Sequence, residues 1–335
     1  MESTIYLLSD HREDLLKEII YATNSLGFNN NLTRGIIKNE TFSDNEMNTS
    51  FIDSVKGKRV YLLSSFDSSD EIIRLNIAID AAKRARASEI IPILPYYIYG
   101  RGDKRDNLRG PISGKLIASM LENSGATSII GFDFHADQIQ GFFDIPVDHI
   151  EGKSVFVDYI ANIYNPDIIC CSPDQGGSKR VERVVTQVHT DYGIDIRYVT
   201  ISKTRPAANI VGEMTVIGDV VGKDVIILDD ILDTAGTLCK AAETLMNDGA
   251  KSVTAIITHG VLSGPAIERI NNSQLKEVII SNSLKKQSDF IGVSEKIKVI
   301  SVAPQIALVI ASINNSLSYE ELKEKYKKGR YINEK

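Results

Sequence analysis

The segment Val225-Ile-Ile-Leu-Asp-Asp-Ile-Leu-Asp-Thr-Ala-Gly-Thr-Leu238 joins an apolar run to three carboxylates and a loop of small residues. Val225–Leu228 predicts a buried strand that runs into the adjacent acids Asp229 and Asp230. Asp233, Thr234, Ala235, Gly236 and Thr237 then predict a tight loop entering a helix. Hydroxyls and backbone N–H groups gather there at the positive end of the helix dipole, a cradle of phosphate-monoester size. Three acids have no electrostatic reason to sit beside a phosphate. They fit the hydroxyls of a sugar or a hydrated magnesium ion. The plain alternative is an N-capped helix behind a solvated acidic turn. It gives no reason for strand, acid pair and Thr-Gly-Thr to fall in register.

Two further segments carry charge or glycine where chemistry would need it. Asp174-Gln-Gly-Gly177 ends an apolar run and precedes a helical pattern, and Gly176 and Gly177 let backbone approach a diphosphate closely. Lys203-Thr-Arg205 sits in the polar stretch Thr200–Val216, with Pro206, Asn209 and Gly212. Two cations on a mobile loop suit transient stabilisation of a group in transfer, whereas a lone Lys-x-Arg is by default a solvated turn.

The elements that must position these residues follow from patterning. Val60–Leu63, Ile90–Leu94, Ile129–Phe132, Ile168–Cys171, Val225–Leu228, Val253–Ile257 and Glu277–Ser281 are short, β-branched and bordered by turn residues or charges. Such runs predict parallel strands covered on both faces. Between them, Ile72–Ala87, Ser113–Ser124, Lys179–Val188, Thr237–Asp248 and Pro265–Asn271 show helical spacing. The alternation predicts the α/β class with mainly parallel sheets flanked by helices.

Two internal matches predict a duplicated chain. Leu121-Glu-Asn-Ser-Gly-Ala-Thr-Ser-Ile129 lines up with Leu245-Met-Asn-Asp-Gly-Ala-Lys-Ser-Val253, which makes His135 and His259 counterparts. Gly57-Lys-Arg-Val-Tyr-Leu-Leu63 resembles Gly222-Lys-Asp-Val-Ile-Ile-Leu228. The offsets differ, which predicts an insertion in the first half around Tyr97–Pro111. The length of 335 residues suits two domains. The expected units are 1–151 and 152–335, the second ending in a C-terminal helix, with Tyr319–Lys335 an exposed helix and surface end.

Composition excludes other classes. A net charge of −6 argues against a nucleic-acid coat. The charged first residues are not a signal peptide, and no apolar run approaches the ~20 residues of a membrane span. Cys170, Cys171 and Cys239 lack zinc spacing and read as buried thiols of a reducing, cytoplasmic compartment.

The run Asp229–Thr237 resembles the ribose-5-phosphate motif of type I phosphoribosyltransferase folds. Phe42-Ser-Asp-Asn-Glu46, Pro95–Lys104, Phe132-Asp-Phe-His135, Gln138–Asp148, Ser172-Pro-Asp-Gln-Gly-Gly177, Lys203-Thr-Arg-Pro206 and Thr258–Ala266 narrow the resemblance to the ribose-phosphate pyrophosphokinases. It covers nearly the whole chain, in order. It implies two tandem phosphoribosyltransferase-like domains and transfer of the diphosphate of Mg-ATP to the 1-hydroxyl of ribose 5-phosphate. The products would be 5-phosphoribosyl 1-diphosphate and AMP. A phosphoribosyltransferase acting on a base would need only one such half.

By resemblance, Lys203 and Arg205 are the catalytic pair, and Asp229, Asp230 and Asp233–Thr237 hold ribose 5-phosphate. Asp174, Gly176 and Gly177 form the diphosphate loop, and Mg2+ is held by His135 and Asp174. Phe42, Asp44 and Glu46 would reach the adenine of a neighbouring subunit's ATP. Arg101 and Asp103 would complete the ATP site, Arg101 through its guanidinium fork. A shared site implies a homo-oligomer built on dimers, such as a hexamer, with neither nucleic acid nor membrane as partner. The chain departs from the family pattern in two places. Gly102 stands where Gln is usual after Arg101, and Val302-Ala-Pro304 stands where hydroxyl residues bind a regulatory phosphate. Hydroxyl loss removes donors to an anion and implies blunted regulation. Lys104–Arg109 matches the flag-like regulatory loop, with Arg109 keeping its cation.

Overall fold

A computed structural model describes residues 2–27, 32–203 and 214–324. It divides into two compact units, Met1–Glu151 with Val302–Lys335, and Gly152–Ser301.

The first unit opens with β1 (Ser3–Leu7), α1 (Glu13–Ser25), β2 (Thr33–Arg34) and a hairpin of β3 (Ile37–Thr41) and β4 (Met47–Phe51). β5 (Arg59–Leu63), α2 (Ser69–Arg84), β6 (Glu89–Leu94), α3 (Ser113–Ser124), β7 (Ile129–Phe132) and β8 (Val147–Ile150) follow. The main sheet has the order β2-β1-β5-β6-β7-β8, parallel throughout. Tyr6, Val60, Leu62 and Ile90 pack with Leu75 and Ile79 of α2 and with Ile117 and Leu121 of α3. Their alternates Ile5, Tyr61 and Ile91 point to the other face and are equally buried. Burial on both faces is why these strands read as unbroken apolar runs.

The second unit contains α4 (Lys153–Ile163), β9 (Ile168–Ser172), α5 (Ser178–Tyr192), β10 (Tyr198–Lys203), β11 (Met214–Ile217) and β12 (Asp224–Leu232). It continues through α6 (Gly236–Asn247), β13 (Ser252–Gly260), α7 (Ala266–Asn272), β14 (Glu277–Ser281) and β15 (Ile297–Ile300). Its sheet runs β11-β10-β9-β12-β13-β14-β15, with only β11 antiparallel. Ile169, Cys171, Ile227, Ala255, Ile257 and Ile280 face Leu238, Ala241, Leu245 and Ile270 of α6 and α7.

The last helix, α8 (Ala303–Asn315), corrects the expected division. The sequence places it with the second half, but it packs on α1 of the first unit. Asn314 fixes it there: its Oδ1 accepts from Ser3 Oγ at 2.8 Å, Arg59 Nη1 at 2.9 Å and Tyr61 OH at 3.0 Å. The following helical turn is not simply exposed. Leu322 is buried against Leu308, Ala311 and Leu26.

The two sheets correspond strand for strand, β2-β1-β5-β6-β7-β8 against β10-β9-β12-β13-β14-β15. The Gly57 and Gly222 segments are true counterparts, each a glycine at positive φ, +74° and +69°, entering the equivalent strand. The other match is a coincidence of connection. Leu121–Ile129 leads into β7, whose counterpart is β14, whereas Leu245–Val253 leads into β13. Both use a positive-φ glycine, Gly125 or Gly249, and both close with an alanine N–H donating to a leucine carbonyl five residues back. Any helix-to-strand joint can use that solution, so His135 and His259 are not counterparts. The insertion is real in the correct alignment: residues 95–112 join β6 to α3 where residues 261–265 join β13 to α7.

Candidate active site

In the second unit the chain leaves β9 for β10 on one side, while β12 lies on the other. A parallel sheet opens a crevice at such a reversal, beyond the carboxyl ends of the strands. Three of the sequence-derived segments converge there: Asp174–Gly177 after β9, Lys203 at the end of β10, and Asp229–Thr237 on and after β12.

The Asp174 loop is built around its glycines. Asp174 Oδ1 accepts from the Gly177 N–H at 3.0 Å, and the Asp174 carbonyl accepts from Ser172 Oγ at 2.5 Å. A Cβ on Gly177 would stand 2.8 Å from that same Ser172 Oγ. Since Ser172 is fully buried, only glycine closes this turn. Gln175 crosses to β10, donating from Nε2 to Ser202 Oγ at 3.3 Å.

β12 is longer than the sequence suggests. Asp229 and Asp230 lie within it rather than beyond it, because Asp229 and Ile231 keep their pairing with Ile257 and His259 of β13. The Asp230 N–H donates to Asp229 Oδ1 at 3.0 Å, and Asp230 is buried. Desolvation holds the Asp229 carboxyl far above the ordinary carboxylate range, and the charge of Asp230 adds to it. Arg180 of α5 opposes both effects, with Nη2 3.5 Å from Asp230 Oδ2. Sequence reading missed Arg180, because nothing local ties a helix residue to an acid on a strand three elements later. After the strand, Ala235 adopts left-handed backbone, φ 61° and ψ 0°, as the N-cap of α6. This conformation is costly for a residue with a Cβ. Thr234 and Thr237 are exposed, Asp233 partly so.

Lys203 pairs with Met214 across β10 and β11. Thr200–Lys203 is therefore strand, and the expected loop Thr200–Val216 is shorter at both ends. Arg205 lies outside the described residues.

The remaining candidates belong to the first unit. Phe42–Glu46 forms the tip of the β3–β4 hairpin. Phe42 N–H donates to the Glu46 carbonyl at 2.8 Å, and Asp44 Oδ1 accepts from the Glu46 N–H at 3.1 Å. Phe42 is 50% exposed, an open aromatic face at the tip. Arg101 and Asp103 follow β6 and His135 follows β7, the neighbouring strand. Gln138 Nε2 donates to Asp103 Oδ2 at 2.6 Å, linking the two loops. His135 is exposed. Its loop is held by the Asp133 N–H on the Ile150 carbonyl at 2.7 Å and by the Phe134 N–H on His149 Nε2 at 3.0 Å. At Gly102 a Cβ would stand 3.0 Å from Ser113 Oγ, so the departure from Gln matches a crowded turn. His259 is buried and shares a 2.9 Å hydrogen bond with Ser283 Oγ.

Among the described residues no group of three or more His, Cys, Asp or Glu side chains is set to hold a metal ion. None of the described helices is long and apolar enough to cross a membrane.

The parallel sheets and the glycine and acid loops at the second sheet's reversal define a protein of the phosphoribosyltransferase-like class. Comparison with known proteins narrows this. Residues 6–125 match the N-terminal domain of ribose phosphate pyrophosphokinase, and residues 183–323 the phosphoribosyl synthetase-associated domain. Ribose-phosphate pyrophosphokinase from Wolinella succinogenes is 44% identical over 283 residues, 84% of this chain and 88% of its own. The Bacillus subtilis protein of the same name is 41% identical over 282 residues, 83% of this chain and 86% of its own. The crystal structure of phosphoribosylpyrophosphate synthetase from Mycobacterium smegmatis superposes with a TM-score of 0.84 at 32% identity, covering 94% of this chain and all of that one. The chain belongs to the ribose-phosphate pyrophosphokinase family and is an enzyme.

Proposed function

We propose that this chain forms 5-phosphoribosyl 1-diphosphate from ribose 5-phosphate, using Mg-ATP as diphosphate donor and releasing AMP. The observation that carries this reading is the convergence of a glycine loop, Asp174–Gly177, and an acid-and-threonine loop, Asp229–Thr237, at one reversal of a parallel sheet. One loop suits a diphosphate and the other a phosphorylated sugar.

In this reading Asp233, Thr234, Ala235, Gly236 and Thr237 hold the sugar phosphate, and Asp229 and Asp230 accept from ribose hydroxyls. Gly176 and Gly177 bring backbone against the diphosphate. Lys203 and Arg205 stabilise charge that develops as the group moves. Phe42, Asp44 and Glu46 receive adenine, and Arg101 and Asp103 the rest of the nucleotide. The exposed Phe42 ring at the hairpin tip supports an ATP site completed by another subunit, hence a dimer-based homo-oligomer such as a hexamer.

The donor set fits magnesium. Mg2+ prefers oxygen donors such as the Asp174 carboxylate and fills the rest of its shell with water and substrate phosphates. Asp174 and His135 would hold it, and it would neutralise the triphosphate. The protein's own residues do the rest: they orient the 1-hydroxyl toward the β-phosphorus and exclude water. We place the activity in the cytoplasm. Three free thiols, Cys170 and Cys171 buried and Cys239 half-buried, suit a reducing compartment.

The test is direct. Purified protein with ribose 5-phosphate and Mg-ATP should release AMP and a diphosphorylated pentose in equal amounts. Release of ADP, or no reaction, sinks the reading.

A further inference from the structure

The turn Leu232–Ala235, left-handed at Ala235, is anchored carbonyl by carbonyl. The Leu262 N–H donates to the Leu232 carbonyl at 3.0 Å and the Ser263 N–H to that of Asp233 at 3.1 Å. The Cys239 N–H donates to the Ala235 carbonyl at 2.9 Å. The remaining carbonyl, Thr234, accepts from Arg269 Nη1 of α7 at 2.9 Å. Three anchors are therefore backbone and one is a side chain. In a trans peptide the C=O of one residue and the N–H of the next point in opposite directions. The Ala235 N–H therefore points away from the Thr234 carbonyl and from the guanidinium that holds it.

We propose that Arg269 is a positioning residue for the sugar phosphate. By holding the Thr234 carbonyl it aims the Ala235 N–H into the cradle and keeps Ala235 in its unfavourable left-handed conformation before substrate arrives. The guanidinium also packs against the loop: a Cβ on Gly236 would stand 3.4 Å from Arg269 Nη1. Preorganised donors bind an anion without the cost of reordering. Arg269 acts through the backbone and lies behind the loop, so its loss should appear as weaker sugar-phosphate binding rather than slower transfer. This inference rests on the assignment of the loop to ribose 5-phosphate.

The experiment combines calorimetric binding of ribose 5-phosphate with steady-state kinetics on the intact protein. Arg269→Ala should raise the Kd and the KM for ribose 5-phosphate about five- to tenfold, the scale of one net hydrogen bond lost indirectly through the backbone. The kcat should change less than about twofold, since transition-state charge is met elsewhere. Arg269→Lys, which can still donate to Thr234, should recover most of the affinity. Lys298→Ala, which breaks an exposed ion pair with Glu277 elsewhere in the same unit, should leave the Kd unchanged. If Arg269→Ala fails to fold, Arg269→Gln serves instead, read by hydrogen exchange of residues 229–238. Exchange should speed up, and ribose 5-phosphate should protect the segment less. Wild-type Kd in Arg269→Ala, or a fall in kcat at constant KM, overturns the inference. A wild-type protein that binds no ribose 5-phosphate overturns the loop assignment itself, and this inference with it.

Discussion

Arg180 Nη2 stands 3.5 Å from Asp230 Oδ2, so the helix that follows the Asp174 loop is tied by charge to the strand that carries the acid pair. The contact lowers the proton affinity of Asp229, against the burial and the Asp230 charge that raise it. Removing the guanidinium should raise that affinity further. Arg180→Met should therefore need higher pH to ionise the pair. The acid limb of kcat/KM for ribose 5-phosphate should move up by about one pH unit, the size of effect for a nearby opposite charge. A pH–rate profile that superimposes on wild type refutes the coupling.

The Asp229 carboxyl also makes stability depend on pH. Its pKa is raised in the folded state, so folding favours the protonated form. That contribution is present below the unfolded carboxylate pKa and fades as pH rises through the folded value. Asp229→Asn keeps an Oδ1 acceptor for the Asp230 N–H and removes the charge. It should raise Tm by about 2–4 °C at pH 8, the scale of ~1 kcal/mol in a domain this size. At pH 4 the gain should vanish. Thermal melts at the two pH values check the sign, and an equal gain at both would refute it.

How far the sequence carried this picture depended on where each signal resided. The seven strands read from short β-branched runs all exist, because burial on both faces leaves a continuous apolar trace. Ser113–Ser124 matches α3 residue for residue, ended by Gly125 at φ 121°. β1 and β10 carry polar residues that break such a trace, and Lys298 breaks that of the four-residue β15. α8 is apolar around most of its circumference, so its periodicity names no face. Its seat on the first unit depends on Asn314 meeting Ser3, Arg59 and Tyr61, contacts between distant segments. The acid pair and the glycine loop were legible because strand, charge and glycine are contiguous. Arg180 and Arg269 were not, since one reaches a strand and the other a loop, each from a separate helix.

Gly177 provides a steric test of the Asp174 loop. Alanine there would push its Cβ to 2.8 Å from Ser172 Oγ, a buried group already bonded to the Asp174 carbonyl. Gly177→Ala should cost about 1–3 kcal/mol, the usual range for overpacking. It should raise the KM for ATP more than that for ribose 5-phosphate, because the diphosphate loop is displaced and the sugar cradle is not. Wild-type stability and KM for ATP would show that the turn has room to spare.

Control by inorganic phosphate should be weak. α8 begins with Ala303, buried, and Pro304, which has no N–H to offer an anion. Neither residue supplies a hydroxyl. Activity titrated against phosphate should stay nearly flat, and ADP should inhibit without sigmoid kinetics. Steep phosphate activation would mean that an anion binds without these donors.

The division of labour between the loop cation and the sugar cradle can be read from kinetics. Lys203 ends β10, where the chain leaves for the segment that carries Arg205. Thr237 lies in the first turn of α6, exposed beside the left-handed Ala235. A cation that engages charge only as the diphosphate moves contributes to the transition state alone. Its loss lowers kcat and kcat/KM together. A hydroxyl that grips the sugar phosphate does so before and during transfer, and its loss appears mainly in KM. Lys203→Ala and Arg205→Ala should each cut kcat by ~10²-fold or more, the scale of one preorganised donor. Their KM for ribose 5-phosphate should barely move. Thr237→Ala should raise that KM by about ten- to a hundredfold, the loss of one hydrogen bond to a charged group, with a smaller effect on kcat. Steady-state kinetics on the three variants, with folding checked by thermal melts, separates the roles. Near wild-type kcat in Lys203→Ala, or an unchanged ribose 5-phosphate KM in Thr237→Ala, would show the roles to be assigned wrongly.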